Sequence, residues 1–314
     1  MKISTMLIPL SVLFSAMLFA GEKVDDSLSV DGINVASIDI PRGDVIIIGT
    51  SGNILSVVGE LDEKMDKFIF EKSGSEIQLE VKMPRHQNSH WDNDGSKLTI
   101  KVPNSIKVNF EGISTNVDVE NLTKGTEIQT ISGDIKATKL TDHIELNSIS
   151  GDITSSSLNG KITLSTVSGN IVDKSSAGRL QLKAISGDID TTSAANEVSI
   201  SQVSGEVEFT LSKVDDLKIK SVSGDVDGKV ELSDDGRIKM SGVSADLSLA
   251  LQKGVDANFK FSATAGGSIK NSLTNDKAQR AKYGPSSKLN FSTGNGGASV
   301  KASVVSGKIK ISEY

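Results

Sequence analysis

One five-residue pattern returns at a fixed interval through the middle of this chain, and that interval restricts the fold more than any other feature. Ile131-Ser132-Gly133-Asp134-Ile135 recurs as Ile149-Ser150-Gly151-Asp152-Ile153, Val167-Ser168-Gly169-Asn170-Ile171, Ile185-Ser186-Gly187-Asp188-Ile189, Val203-Ser204-Gly205-Glu206-Val207 and Val222-Ser223-Gly224-Asp225-Val226. The serines step by 18, 18, 18, 18 and 19 residues. Worn copies flank the run at Ile113-Ser114-Thr115-Asn116-Val117 and Val243-Ser244-Ala245-Asp246-Leu247, and one more stands near the end at Val305-Ser306-Gly307-Lys308-Ile309. A constant period of this size is the mark of a stack of identical supersecondary units, with degraded copies expected where the stack is capped.

Each repeat carries a second corner of turn formers, at Thr141-Asp142, Asn159-Gly160, Ala177-Gly178, Ala195-Asn196, Asp215-Asp216 and Asp234-Asp235-Gly236. One coil is therefore two strands and two bends. Between the second corner and the next Gly133-type position, apolar residues take the second, fourth and seventh places: Ile144, Leu146 and Ile149, then Ile162, Leu164 and Val167. Alternation with β-branched residues predicts strands with one face buried and rules out helix. Stacked at about 4.8 Å, like residues meet like in parallel ladders, and the expectation is that all three apolar places fill the interior. The bend glycines Gly133, Gly151, Gly169, Gly187, Gly205, Gly224 and Gly307 are expected to hold a positive φ that another residue would adopt at a cost of about 1 kcal/mol.

Composition narrows the class. Aromatics make up only 4% of the 314 residues and there are 29 glycines, which suits slim strands and tight bends. There is no cysteine, so disulfides, thiol chemistry and a lipid-modified N-terminus are excluded. Lys2, the apolar run from Met6 to Phe19 and the small residues Ala20-Gly21 read as a signal peptide cut after Ala20, too short for a membrane span. Residues 1–20 are then the signal, 21–112 an irregular N-terminal cap, 113–254 the regular solenoid and 255–314 the C-terminal coils and cap. The net charge of -6 mixes 34 basic with 40 acidic residues, and no basic stripe for nucleic acid is visible along the chain.

The order of features resembles a bacterial adhesin-like domain family with β-strand repeats, otherwise of unknown function. The residues that carry the resemblance are Gly43-Asp44-Val45-Ile46-Ile47-Ile48-Gly49, Leu98-Thr99-Ile100-Lys101-Val102-Pro103, the Ser-Gly-Asp repeats and Val305-Ser306-Gly307-Lys308-Ile309. It spans nearly the whole chain after the signal. It implies an envelope or surface β-solenoid and supplies no catalytic or ligand residues to transfer. Related domains in envelope-stress proteins imply a second role, as a periplasmic stress or assembly factor.

The one column with candidate binding chemistry is Asp134, Asp152, Asn170, Asp188, Glu206, Asp225 and Asp246, aligned along one edge of the stack. Like charges about 4.8 Å apart repel by roughly 1 kcal/mol in water, so a divalent cation would relieve them. The plain alternative is a solvated residue suited to the place after a tight turn, and the Gly-Gly-x-Gly-x-Asp calcium repeat is absent. His86 and His90 have metal-ligand spacing, but Pro84 and Gly95 bound a polar loop where no helix is evident. Outward columns alternate in sign without converging acids and bases, which argues against a polysaccharide lyase, the enzymatic alternative. The column Thr130, Ser148, Thr166, Ala184, Gln202 and Ser221 is too mixed for an ice-binding ladder. The expectation is an exported all-β protein, a parallel β-solenoid of about 18 residues per coil with right-handed winding favoured. It is read as non-enzymatic, with no cofactor, facing an unidentified protein or glycan in the periplasm, at the surface or outside the cell.

Overall fold

The computed structural model describes residues 21–84 and 95–314. The expected signal peptide, His86 and His90 lie outside them. The described residues contain strands and turns without a helix, and so no helix among them is long and apolar enough to cross a membrane. Their 25 strands belong to one hydrogen-bonded sheet, folded at two corners per coil into two walls. This is the parallel β-solenoid that the 18-residue period predicts.

In the regular part, an eight-residue strand such as Thr141–Ser148 or Asn159–Thr166 forms the long wall, and a four-residue strand such as Ile135–Thr138 or Ile153–Ser156 forms the short wall. Pairing is parallel and in register, Ile144 on Ile162 and Leu146 on Leu164 in one wall, Ile135 on Ile153 in the other. All of these are fully buried or nearly so. Each such aliphatic contributes roughly 1.5 to 3 kcal/mol, and a lone coil exposes both its flanks, so stability belongs to the stack. The second corner begins earlier than Thr141. Lys139, Ser157 and Ser175 hold left-handed conformations at φ 54, 58 and 60, in register one coil apart, and Asp142, Gly160 and Gly178 close the bend at φ 84, 126 and 94.

One expectation about the core is overturned. Ile149, Val167, Ile185, Val203 and Val222, the seventh-place residues, are not in the interior but 38–51% exposed. Strict alternation continues from Ile144 and Leu146 to Ser148, so the sixth place turns inward and the seventh must point out. The inward column is thus Thr130, Ser148, Thr166, Ala184, Gln202 and Ser221, all buried.

Spatial order departs from chain order at both ends. The first coil, Val35–Asp39 and Arg42–Thr50, lies between the coil of Glu76–Lys82 and Ser96–Pro103 and that of Lys107–Glu111 and Ser114–Glu120. Likewise Ala298–Ser306 and Lys308–Glu313 are inserted between the second half of Val207–Leu251 and the coil of Ala257–Ala263 and Ser268–Asn271. Antiparallel strands then close the ends: Lys67–Ser73 on Glu76–Lys82, Ile54–Glu60 on Ser96–Pro103 with Lys23–Ser29 on Ile54–Glu60 in turn, and Ser287–Thr293 on Ala257–Ala263. The ends of the stack are thus formed by antiparallel strands and not by open parallel coils, except at the C-terminal short wall, where Ser268–Asn271 pairs on one side only. A buried two-bond ion pair, Arg42 to Asp62, fixes the N-terminal cap, while the Phe259 and Phe291 rings stack at 4.5 Å in the C-terminal one.

From the N-terminal to the C-terminal end, the long wall runs Lys67–Ser73, Glu76–Lys82, Val35–Asp39, Lys107–Glu111, Thr126–Thr130, Thr141–Ser148, Asn159–Thr166, Ala177–Ser186 and Glu197–Ser204. Two passes of Val207–Leu251, Ala298–Ser306, Ala257–Ala263, Ser287–Thr293 and the two-residue strand Gln279–Arg280 complete it.

Candidate functional surface

The Ser-Gly-Asp corner is the most repetitive structure in the molecule, and the expected positive φ accounts for only some of its glycines. Gly187, Gly205, Gly224 and Gly307 have positive φ, at 149, 128, 124 and 137, but Gly133, Gly151 and Gly169 do not. What all seven share is contact with the backbone of the coil beneath. A Cβ on Gly151 would stand 2.0 Å from the Gly133 carbonyl oxygen, one on Gly169 2.0 Å from that of Gly151, and one on Gly307 2.2 Å from that of Ala245. Glycine is required because the corners stack without room for a side chain.

Inside the corner, buried hydroxyls satisfy the bent backbone. Ser148 Oγ accepts from the Gly151 amide at 2.8 Å and Thr166 Oγ1 from that of Gly169 at 2.9 Å, while Thr130 Oγ1 donates to the Gly133 carbonyl at 2.9 Å. Gln202, longer, sends its amide to the Gly187 carbonyl at 2.6 Å. Such backbone groups would be costly if left unpaired, which is why the column is polar at Thr130, Ser148, Thr166 and Gln202 although it faces the core; Ala184 and Ser221 make no such bond.

Outside the corner stands the acidic file. Asp134 Oδ1 accepts the Asp152 amide at 2.9 Å, Asp152 that of Asn170 at 2.7 Å, Asn170 that of Asp188 at 2.9 Å and Asp188 that of Glu206 at 2.8 Å. The same bond joins Asn116 to Asp134 and, across 62 residues of chain, Asp246 to the Lys308 amide at 2.7 Å. Asp44, in the inserted first coil, receives the Asn116 side-chain amide. These carboxylates and carboxamides therefore hold successive coils together, and asparagine serves as well as aspartate because only an accepting oxygen is needed. Among the described residues no group of three or more histidine, cysteine, aspartate or glutamate side chains is arranged to hold a metal ion.

Beside the acidic file runs a feature the sequence reading placed inside. Ile113, Ile131, Ile149, Val167, Ile185, Val203, Val222, Val243 and Val305 are 38–54% exposed and form an aliphatic ridge along the corner. The signal that could have found it was the phase of the alternation at Ser148. Shallow grooves flank its N-terminal end. One, of about 510 Å³, is lined by Asp39, Glu111, Ile131 and Ile149 among others; the second, of about 410 Å³, by Asp44, Asp118, Asp134 and Lys136 among others.

Burial weakens the acidity of two carboxyls. Burial raises Asp173, which lies inside the stack and accepts from Ser155 at 2.6 Å, Ser176 at 2.5 Å and Thr191 at 3.1 Å; these bonds only partly offset the desolvation. Burial, then the neighbouring Glu80 and Glu111, raise Asp39.

Outward files of the long wall do not alternate in sign as the sequence suggested. In the two files nearest the ridge, the N-terminal levels carry Glu80, Asp39, Glu111, Glu127 and Glu145 with no cation. The later levels carry Lys183, then Lys218 and Lys220, then Lys239, Lys301, Lys260 and Lys288 with no carboxylate. Linear spacing hid this, because neighbours on the surface are 18 or more residues apart in the chain.

A β-solenoid with laddered corners, an aliphatic ridge and a polarised long wall defines the class. Within it, the chain belongs to the Toastrack DUF4097 family, whose model matches residues 33–312, in keeping with the resemblance drawn from the repeats. No curated protein matches it. Two solved structures are similar. One is a candidate cell-adhesion protein from Clostridium sporogenes, 11% identical, covering 93% of this chain and 100% of its own, with a TM-score of 0.25. The other is a candidate adhesin from Bacteroides fragilis, 14% identical, covering 92% of this chain and 97% of its own, with a TM-score of 0.36.

Proposed function

We propose that this protein is a non-catalytic β-solenoid of the cell envelope or surface, exported by its N-terminal segment, that binds a protein or glycan partner along its corner. The observation that carries the reading is the aliphatic ridge: nine β-branched side chains, about half exposed, in single file. A continuous exposed row of large aliphatics marks an interaction surface. The acidic file beside it is engaged in stacking, which supports a binding role over acid-base chemistry.

Purified mature chain bound to intact cells and to isolated envelope tests this. Deleting one coil, residues 151–168, is expected to leave a folded protein with a partial loss of binding, and Ile149→Ser with Ile185→Ser a larger one. Unchanged binding by the double variant refutes the ridge as the contact. Release of unsaturated sugars from a polysaccharide panel refutes the non-catalytic reading, and recovery of the chain in the cytosol on cell fractionation refutes export.

A further inference from the structure

The charge pattern of the long wall has a symmetry of its own. Its strand order places Ala177–Ser186 at the centre, with six strand levels on either side and, beyond them, Lys67–Ser73 at one end and the two-residue strand Gln279–Arg280 at the other. A two-fold axis lying in the wall along that central strand, with a second copy facing the first, brings each level onto its counterpart at the same distance on the other side. Glu145 then meets Lys218, Glu127 meets Lys239 and Glu80 meets Lys288. In the file farthest from the ridge the levels next to the centre are also opposite in sign, Lys161 meeting Glu197, while His143 faces Asp216, Arg237 faces Gly125 and Glu76 faces Ser292. Glu111 and Asp39 face serines but lie diagonal to Lys301 and Lys260.

We infer that this face is a self-association surface, and that two copies of the chain pair long wall to long wall, antiparallel, about an axis at Gln181. In the two files nearest the ridge the charge changes sign across one level, which is what an isologous contact needs, since the same patch must be its own complement. A parallel pairing would set lysine on lysine. The size is sufficient: twelve steps of about 4.8 Å by three outward files give roughly 60 Å by 15 Å, about 900 Å² per partner, against about 800 Å² in an ordinary stable interface. The contact is polar, and several of its groups keep partners within the chain. Lys107 bonds Glu127 at 3.0 Å and Arg179 bonds Glu197 at 2.6 Å, and each carboxylate retains lone pairs for a second cation. Only the axis itself opposes like to like, at Lys183 and at Arg179, the latter neutralised by Glu197. The dimer is accordingly one that salt dissolves.

Sedimentation velocity on the mature chain is the test. At about 0.01 M salt, where screening reaches about 30 Å, a dimer is expected; at about 1 M, where it reaches about 3 Å, a monomer. Lys218→Glu with Lys239→Glu places carboxylate on carboxylate at four contacts, and Glu127→Lys with Glu145→Lys places lysine on lysine. Each double variant is expected to dimerise on the order of a hundredfold more weakly or worse. Mixed one to one, the two restore every attraction and should form a heterodimer, as should the chain carrying all four changes with itself. A wild-type monomer at low salt overturns the inference. So do double variants that stay dimeric, or a mixture that stays monomeric while both components show wild-type circular dichroism. If one double variant fails to fold, the four-change chain decides the matter alone: a salt-sensitive dimer supports the inference and a monomer refutes it.

Discussion

Replacing Gly151 by alanine separates two reasons for a glycine, because they predict opposite signs. Gly151 is not at positive φ. If conformation were all that mattered, alanine would restrict the unfolded chain and stabilise the protein by roughly 0.4–1 kcal/mol. The stacked corner says otherwise. The new Cβ would lie 2.0 Å from the Gly133 carbonyl oxygen and 2.9 Å from Ser148 Oγ, so the two coils must part by more than an ångström at that point. Three bonds cross or brace that place: Ser150 amide to Ile131 carbonyl at 2.8 Å, Asp152 amide to Asp134 at 2.9 Å and Gly151 amide to Ser148 at 2.8 Å. Losing two or three of them at about 1 kcal/mol each, with the orphaned buried groups added, gives a destabilisation of about 2–4 kcal/mol. Urea unfolding followed by circular dichroism measures it, with Gly52→Ala as the control, since Gly52 has nothing nearer than 4.0 Å and no positive φ. A Gly151→Ala protein within about 0.5 kcal/mol of wild type, or more stable, would refute the stacking account.

Ile144→Ser and Ile149→Ser differ only in phase, and unfolding should show a loss of about 2–5 kcal/mol for the first, fully buried, against less than about 1 kcal/mol for the second, 48% exposed. Because the folded-state acidity constant of Asp173 is raised, the stability it contributes is complete below its ordinary value of 3.8 and is lost as pH rises through the raised one. Stability against pH should therefore fall in that window for wild type and stay flatter for Asp173→Asn; parallel curves would sink this. Removing Asp62 leaves Arg42 buried without its carboxylate, and Asp62→Ala should lose about 3–5 kcal/mol in thermal or urea unfolding, a much larger effect than Asp118→Ala at the exposed pair with Lys136.

The repeat made the architecture legible because an in-register parallel stack forces equal residues onto equal sites, and Gly151, Gly169 and Gly187 announce that identity directly. Even the distant copy at Val305-Ser306-Gly307 was readable, and it stacks on Val243-Ser244-Ala245 as its sequence implies. Its place one layer inside the end was not readable, since a corner motif says what it can stack on but not which of its two faces is already taken. The same holds for Gly43-Asp44-Val45, paired on one side with Ser96-Lys97-Leu98 and on the other with Thr115-Asn116-Val117. The ridge was misplaced for a different reason. Isoleucine at a seventh place looks like core on hydrophobicity alone, and only the backbone phase shows that Ser148 has taken the inward position. Charge on the long wall escaped because Lys239, Lys301 and Lys260 are adjacent in space through an excursion of the chain, not through the 18-residue step.

The interleaving of the terminal coils limits how a molecule like this can change in length. A chain stopped before residue 298 would not be shorter by its last layer; it would have a gap one layer deep between Val207–Leu251 and Ala257–Ala263, with two unsatisfied strand edges facing each other. Loss of residues 35–50 would open the same kind of gap at the opposite end. Layers can be added or removed without such damage only between the two locks, in whole units of the central repeat, so the ends behave as fixed fittings and the middle as the part whose reach can be set.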